Sequence, residues 1–153
     1  MITRRGVQIG LRIPLGPGIG ELMQIARRAE DIGCDSVWIS DHLVWPLDMR
    51  SAYPYSPTGS APLPPGTPFF DPWVLLAGIA GATTSIRLAT GVYILPLRHH
   101  LVTARAAATL DSLSRGRVIF GVGIGWMEEE FAAADSNYRT RSARTDEIIE
   151  ALR

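Results

Sequence analysis

A chain of 153 residues is long enough to bury one hydrophobic core but short of the roughly 250 residues at which an eight-stranded β/α barrel closes. A composition of 46% hydrophobic and 20% charged residues excludes wholesale disorder. Fifteen basic residues offset fifteen acidic ones, leaving no net field to gather nucleic acid or anionic lipid, and since every basic residue is arginine, Schiff-base and P-loop lysine chemistry are excluded too.

Taken in chain order, the apolar stretch from Val7 to Pro14 predicts a strand and Gly16-Pro17-Gly18-Ile19-Gly20 a loop. Leu22, Ile25, Ala26, Ala29 and Ile32 recur at helical spacing, and Gly33 stands where a glycine would close the helix. Cys34 lies just past that end, which predicts a buried, inert thiol, and as the single cysteine it has no internal disulfide partner. Ser36 to Ser40 is a second strand that stops at Asp41-His42, and the next helix starts at Asp71-Pro72, an N-cap followed by proline at N1. Between them, residues 44–70 hold seven of the eleven prolines together with Tyr53, Tyr55, Phe69 and Phe70. A loop of that length reads as an active-site lid or binding loop, or else as a flexible insertion. Ile86 to Pro96 is a third strand and Leu101 to Ser114 a third helix with Gly116 beyond its end. Val118 to Gly123 is a fourth strand, and an amphipathic segment from Arg141 to Leu152 follows.

Strict β-α alternation implies a parallel sheet with right-handed crossovers, closed as a barrel or open and doubly wound. Four strands close nothing, so the chain is expected to be part of a larger barrel that continued beyond Arg153, or a half barrel that persists by pairing as a homo-oligomer, since nothing blunts its two strand edges. No charged leader with an apolar core and cleavage site opens the chain, and no apolar run approaches the length of about 20 residues that crosses a bilayer. A cytoplasmic location with neither membrane nor nucleic-acid partner is therefore expected.

Three constellations fall at the C-terminal ends of predicted strands, where barrel and doubly wound enzymes place their ligands. Asp41-His42 pairs an imidazole able to pass a proton with a carboxylate able to accept a ligand hydrogen bond, although such a pair also serves as an ordinary turn. Gly91 interrupts a strand beside Val92, which marks either a bulge or a close approach of backbone to a ligand. Gly121, Gly123 and Gly125 let backbone amides come close to a flat or anionic ligand, but G-x-G-x-G followed by Trp126 is not the dinucleotide fingerprint. His99 and His100, at a helix start without acidic or cysteine partners at ligand spacing, predict a surface role and no metal site. Glu128, Glu129 and Glu130 predict a solvated first helical turn favoured by the helix dipole.

The segments Ser36-Val-Trp-Ile-Ser-Asp-His-Leu43, Ala89-Thr-Gly-Val-Tyr-Ile-Leu-Pro96, Thr109-Leu-Asp-Ser-Leu-Ser-Arg-Gly-Arg117 and Gly121-Val-Gly-Ile-Gly-Trp-Met-Glu-Glu-Glu-Phe131 together resemble the luciferase-like monooxygenase family, particularly the branch that uses the deazaflavin coenzyme F420. The resemblance runs the length of the chain. It implies a TIM (β/α)8 barrel of which residues 1–153 would form the N-terminal half, about the first four β/α units. It also implies a flavin or deazaflavin ring at the C-terminal mouth, with F420 as the cofactor and FMN as the alternative. The implied activity is hydride transfer between F420 and a small organic substrate, with an FMN- and O2-dependent monooxygenase or an inactive half barrel as the other readings. Asp41 would contact the ring and His42 would sit near the reacting carbon. Gly91-Val92 would be a non-prolyl cis peptide backing the ring, and Gly123, Ile124, Gly125 and Trp126 would approach it. Asp135 and His100 stand where the family pattern has glycine and proline, and the cofactor's phosphate-bearing tail would fall largely to a second half of the barrel.

Overall fold

The computed structural model describes residues 6–152. Its elements are β1 (Gly10–Arg12), α1 (Ile19–Asp31), β2 (Ser36–Ile39), α2 (Pro72–Ala82), β3 (Arg87–Thr90), β4 (Tyr93–Ile94), α3 (His100–Ser114), β5 (Val118–Ile119), β6 (Val122–Gly123), α4 (Glu128–Ala133) and α5 (Arg141–Ala151). The main sheet is parallel, in the order β1-β2-β3-β5, and β4 pairs with β6 as its continuation. In register, Leu11 lies opposite Val37, Val37 opposite Leu88, and Leu88 opposite Val118. That row packs into one core with Leu22, Ala26 and Ala29 of α1, Leu76 and Ile79 of α2, and Leu110 of α3. Because α1 packs on α2 and α2 on α3, successive helices cover the same face of the sheet. This is the arrangement of consecutive units in a β/α barrel, not of a doubly wound sheet, whose helices cover both faces.

Local chemistry sets the helix ends. The N–H groups of Gly33 and Cys34 donate to the carbonyls of Glu30 and Ala29 at 3.0 and 2.9 Å, a Schellman closure that needs the left-handed φ of +86° at Gly33. The Asp71 carboxylate accepts from the N–H groups of Trp73 and Val74, both at 3.0 Å, and Pro72 follows it at N1, as the sequence predicts. At α3 the Nδ1 of His99 accepts from Leu101 N–H, so this histidine is an N-cap. Asp135 adopts a φ of +49°, the conformation that a glycine at that position would take without steric cost.

Three strands differ from the sequence expectation. The first is shorter than Val7–Pro14, although Ile9 and Ile13 each add a backbone hydrogen bond at its ends. The third and fourth are each split in two. The break in the third lies at the cis peptide Gly91–Val92, and the carbonyl of Gly121 in the other gap accepts from both Thr90 Oγ1 and Tyr93 N–H at 2.8 Å. Cys34 is half-buried against the main core and not fully enclosed.

On the face opposite the helices, side chains alternate in from β2 as Ser36, Trp38 and Ser40. Trp38 Nε1 donates to Ser36 Oγ at 2.8 Å, and the indole lies across the backbone of Gly10, Gly91 and Gly121. A Cβ at Gly10 would collide with it, and one at Gly91 would stand 2.9 Å from its Cε3. Glycine at positions 10 and 91 is therefore required by a tryptophan of the protein itself, whereas at position 121 a Cβ would collide with the Thr90 carbonyl.

Candidate active site

β2 delivers Asp41 and His42 to the C-terminal end of the sheet, and the two take different environments. The Asp41 side chain has no exposed surface. Its oxygens accept from Arg98 Nη1 at 2.7 Å, Arg98 Nη2 at 2.8 Å and Ile94 N–H at 2.8 Å. Burial pushes the Asp41 carboxyl above its ordinary value against the opposing pull of Arg98, while burial pulls Arg98 down and the Asp41 carboxylate outweighs it and raises it. The guanidinium also stacks 4.5 Å from the Tyr93 ring centroid. Asp41 thus fastens the segment after β2 to the one after β4. Its carboxylate accepts three hydrogen bonds from within the protein and also lies in the wall of the cleft.

The imidazole of His42 reaches the surface of the cleft, with 13% of its side chain exposed. Its Nδ1 lies 2.9 Å from Oε2 of Glu130, which is fully buried. A carboxylate accepts, so Nδ1 is the donor in this pair, and in the neutral imidazole Nε2 then keeps its lone pair. The other oxygen, Oε1, accepts from the N–H groups of Leu43 and Val44. The expectation of a solvated acidic turn therefore holds for Glu128 alone. Glu130 is buried next to Phe131, which is anchored in a small core with Ile94 and Leu97, and three N–H donors compensate the burial of its charge.

Glu129 has a third fate. Its Oε1 accepts from the N–H groups of Arg50 and Ser51 at 2.6 and 2.9 Å, and its Oε2 from Ser51 Oγ at 2.6 Å. Partial burial pushes this carboxyl up, but those hydrogen bonds outweigh it and hold the pKa at about 2. Glu129 and Glu130 together tie the long segment after β2 to α4 at two points. The segment also folds on itself, with Tyr53 N–H donating to the Gly59 carbonyl at 2.7 Å and Trp45 Nε1 to the Pro64 carbonyl at 3.0 Å. It brings Trp45 and Phe69 edge-on to His42, at 4.8 and 5.0 Å between ring centroids. Trp126 completes the wall, 6.2 Å from His42 and 5.2 Å from Tyr53.

All eight residues singled out from sequence, Asp41, His42, Gly91, Val92, Gly123, Ile124, Gly125 and Trp126, line one cleft of about 690 Å³. Residues of the 44–70 loop, including Trp45, Tyr53, Tyr55 and Phe69, form one side of it. Val92 and Ile124 present exposed apolar side chains there, at 46% and 42%. The glycines serve close packing: a Cβ at Gly123 would collide with Val92, and one at Gly125, whose φ is +77°, would stand 2.8 Å from both Ile94 and Phe131. A second hollow of about 530 Å³ lies between α1 and α2. Its two charged members are Asp71, which caps α2, and Arg27, which donates to the Ala82 carbonyl, and the rest of its lining is apolar.

Sequence reasoning missed Glu130, Arg98, Trp38 and the cleft-facing Arg12. The one available signal was the bulky phenylalanine next to Glu130, which predicts an anchored turn and not a free one.

The family profile described as luciferase-like monooxygenase matches residues 3–153. An F420-dependent hydroxymycolic acid dehydrogenase of Mycobacterium tuberculosis is 37% identical over 135 residues, 86% of this chain and 33% of that protein. An F420-dependent glucose-6-phosphate dehydrogenase of Amycolatopsis mediterranei is 34% identical over 143 residues, 89% of this chain and 37% of that protein. Among solved structures, a monooxygenase from Streptomyces bottropensis superimposes with a TM-score of 0.75 at 26% identity, over 95% of this chain and 42% of that one. The chain spans less than half the length of the curated relatives it matches. With a parallel sheet, helices on one face and a ligand-sized cleft at the strands' C-terminal ends, this chain belongs to the luciferase-like monooxygenase family and carries part of its barrel.

Proposed function

We propose that the cleft is the ring end of an oxidoreductase site that moves a hydride between coenzyme F420 and a small organic substrate, with His42 as the proton-handling group. The observation that carries this is the buried Glu130 fixing one face of the imidazole, so that Nε2 is the nitrogen presented to the cleft. Two relatives above 30% identity bear names that state F420 dependence.

The residues present fit such a cofactor. Val92 and Ile124 give a flat ring an apolar surface to cover, and the aromatic side chains of Trp45, Phe69 and Trp126 wall off water. The deazaflavin, when bound, supplies hydride chemistry. His42 Nε2 accepts the substrate proton or returns it, and Glu130 holds the tautomer that makes this possible. Asp41 and Arg98 act at one remove by fixing the backbone on either side of the cleft.

The rival reading is an FMN- and O2-dependent monooxygenase; the Streptomyces structure is named a monooxygenase, without a stated cofactor. Titration of the purified chain with F420 and with FMN, read by tryptophan fluorescence quenching, separates them. Tighter saturable quenching by F420, weakened at least threefold in His42→Ala, is the expected result. Preferential FMN binding overturns the cofactor choice, and an unchanged affinity in His42→Ala removes the histidine from the site.

A further inference from the structure

Two arginines lining the cleft, Arg12 and Arg141, have no carboxylate partner among the described residues, and they differ in what holds them. Asp41 is neutralised by Arg98. Arg141 stacks 3.8 Å from the Tyr138 ring and donates to the carbonyls of Gly125 and Tyr138 at 3.1 and 2.9 Å. Arg12 has a different setting. Its Nε and Nη2 both donate to the hydroxyl of Ser40, at 3.0 and 2.7 Å, and no carboxylate pairs with it among the described residues. A guanidinium has five N–H donors, so three remain without a protein acceptor. Two donors on one neutral oxygen fix the direction of the fork without consuming its charge, which distinguishes Arg12 from a freely waving surface arginine.

Strand order places this charge relative to the other parts of the cleft. Arg12 ends β1, His42 follows β2, Val92 follows β3, and Ile124 follows β6, which comes after β5 along the chain and pairs with β4. The imidazole therefore stands between the guanidinium on one side and the apolar surface on the other. A flat ring over Val92 and Ile124 and a second molecule held at Arg12 would meet at His42.

We propose that Arg12 anchors an oxyanion, a carboxylate or phosphate, and that this anion belongs to the substrate. The substrate class is thus a small organic acid or phosphate ester whose reacting carbon lies beside His42. This rests on the reading of the cleft as an oxidoreductase site. A guanidinium and an oxyanion form two parallel charge-assisted hydrogen bonds, a geometry that lysine or glutamine cannot reproduce.

The test titrates the purified chain with benzoate, its neutral counterpart benzamide, acetate and inorganic phosphate, read by tryptophan fluorescence. In the wild type, benzoate should bind at least tenfold more tightly than benzamide. Arg12→Gln should reduce that ratio to within twofold, and Arg12→Lys should fall between. No saturable binding of any of the three anions, or a preference that survives in Arg12→Gln, overturns the proposal. F420 affinity should stay within twofold in Arg12→Gln; a tenfold loss would assign the anion to the cofactor and overturn the substrate assignment. Cofactor binding by the wild type without charge discrimination sinks Arg12 alone. Charge discrimination without cofactor binding sinks the oxidoreductase reading and leaves the anion site standing.

Discussion

At the scale of single residues, the pair His42–Glu130 makes the sharpest demand. Glu130→Gln keeps an oxygen for the N–H groups of Leu43 and Val44 but turns an amide N–H toward Nδ1. The imidazole then offers its Nδ1 lone pair and moves its hydrogen to Nε2. Nitrogen-15 spectra of the neutral histidine should show an inverted tautomer with a stability loss of about 1–3 kcal/mol; an unchanged tautomer would sink the positioning role of Glu130. This residue also shows where sequence reading stops. His42 was singled out by its place at a strand end and by the family resemblance, since an Asp-His pair alone is as readily an ordinary turn, whereas Glu130 is 88 positions away and carboxylates at a helix start are usually solvated. The Arg98 partner of Asp41, 57 positions distant, was hidden for the same reason. Gly91 was legible as a close-approach site, but the group that approaches is Trp38, and a sequence cannot say whether a glycine makes room for a ligand or for its own protein.

At the scale of elements, helix order and helix ends followed from local rules, because caps act over three or four residues and read directly from the chain. Strand lengths did not, since splitting depends on hydrogen bonds such as Thr90 to Gly121 that only the assembled sheet supplies. The joint between α1 and β3 is likewise tertiary. Glu30 accepts from the N–H groups of Thr84, Ser85 and Ile86 and from the Ser85 hydroxyl. Partial burial pushes its carboxyl up, yet these bonds win and hold its pKa at about 2, against 4.5 for the free side chain. A folded-state pKa below the unfolded one means that the contribution to stability is fully present above pH 4.5 and is lost as the pH falls toward 2. Because the joint is largely solvated, the effect is expected to stay near the surface-pair range of about 1 kcal/mol. Glu30→Gln should lower the denaturation midpoint at pH 6 and converge with the wild type near pH 2. A constant difference across that range would show that the loss comes from packing and not from the carboxylate charge.

At the scale of the whole molecule, the sheet is the part whose chemistry is least complete. Among the described residues β1 pairs only with β2 and β5 only with β3, so each has an outward edge of unpaired backbone groups. Neither edge carries a proline, a lysine or a bulge to discourage pairing. Ile9, 62% exposed, adds an apolar side chain at the start of the β1 edge. The relatives are more than twice as long as the stretch they share with this chain, and a closed barrel leaves no such edges. The 153-residue chain on its own should therefore associate through these edges. Light scattering behind size exclusion should give an apparent mass above the monomer that rises with loading concentration, and Ile9→Lys, which places a charge on the β1 edge, should shift it back toward the monomer. A monomer of constant mass at every concentration would mean that the two edges are satisfied within the chain, and the half-barrel account of its shape would then have to be abandoned.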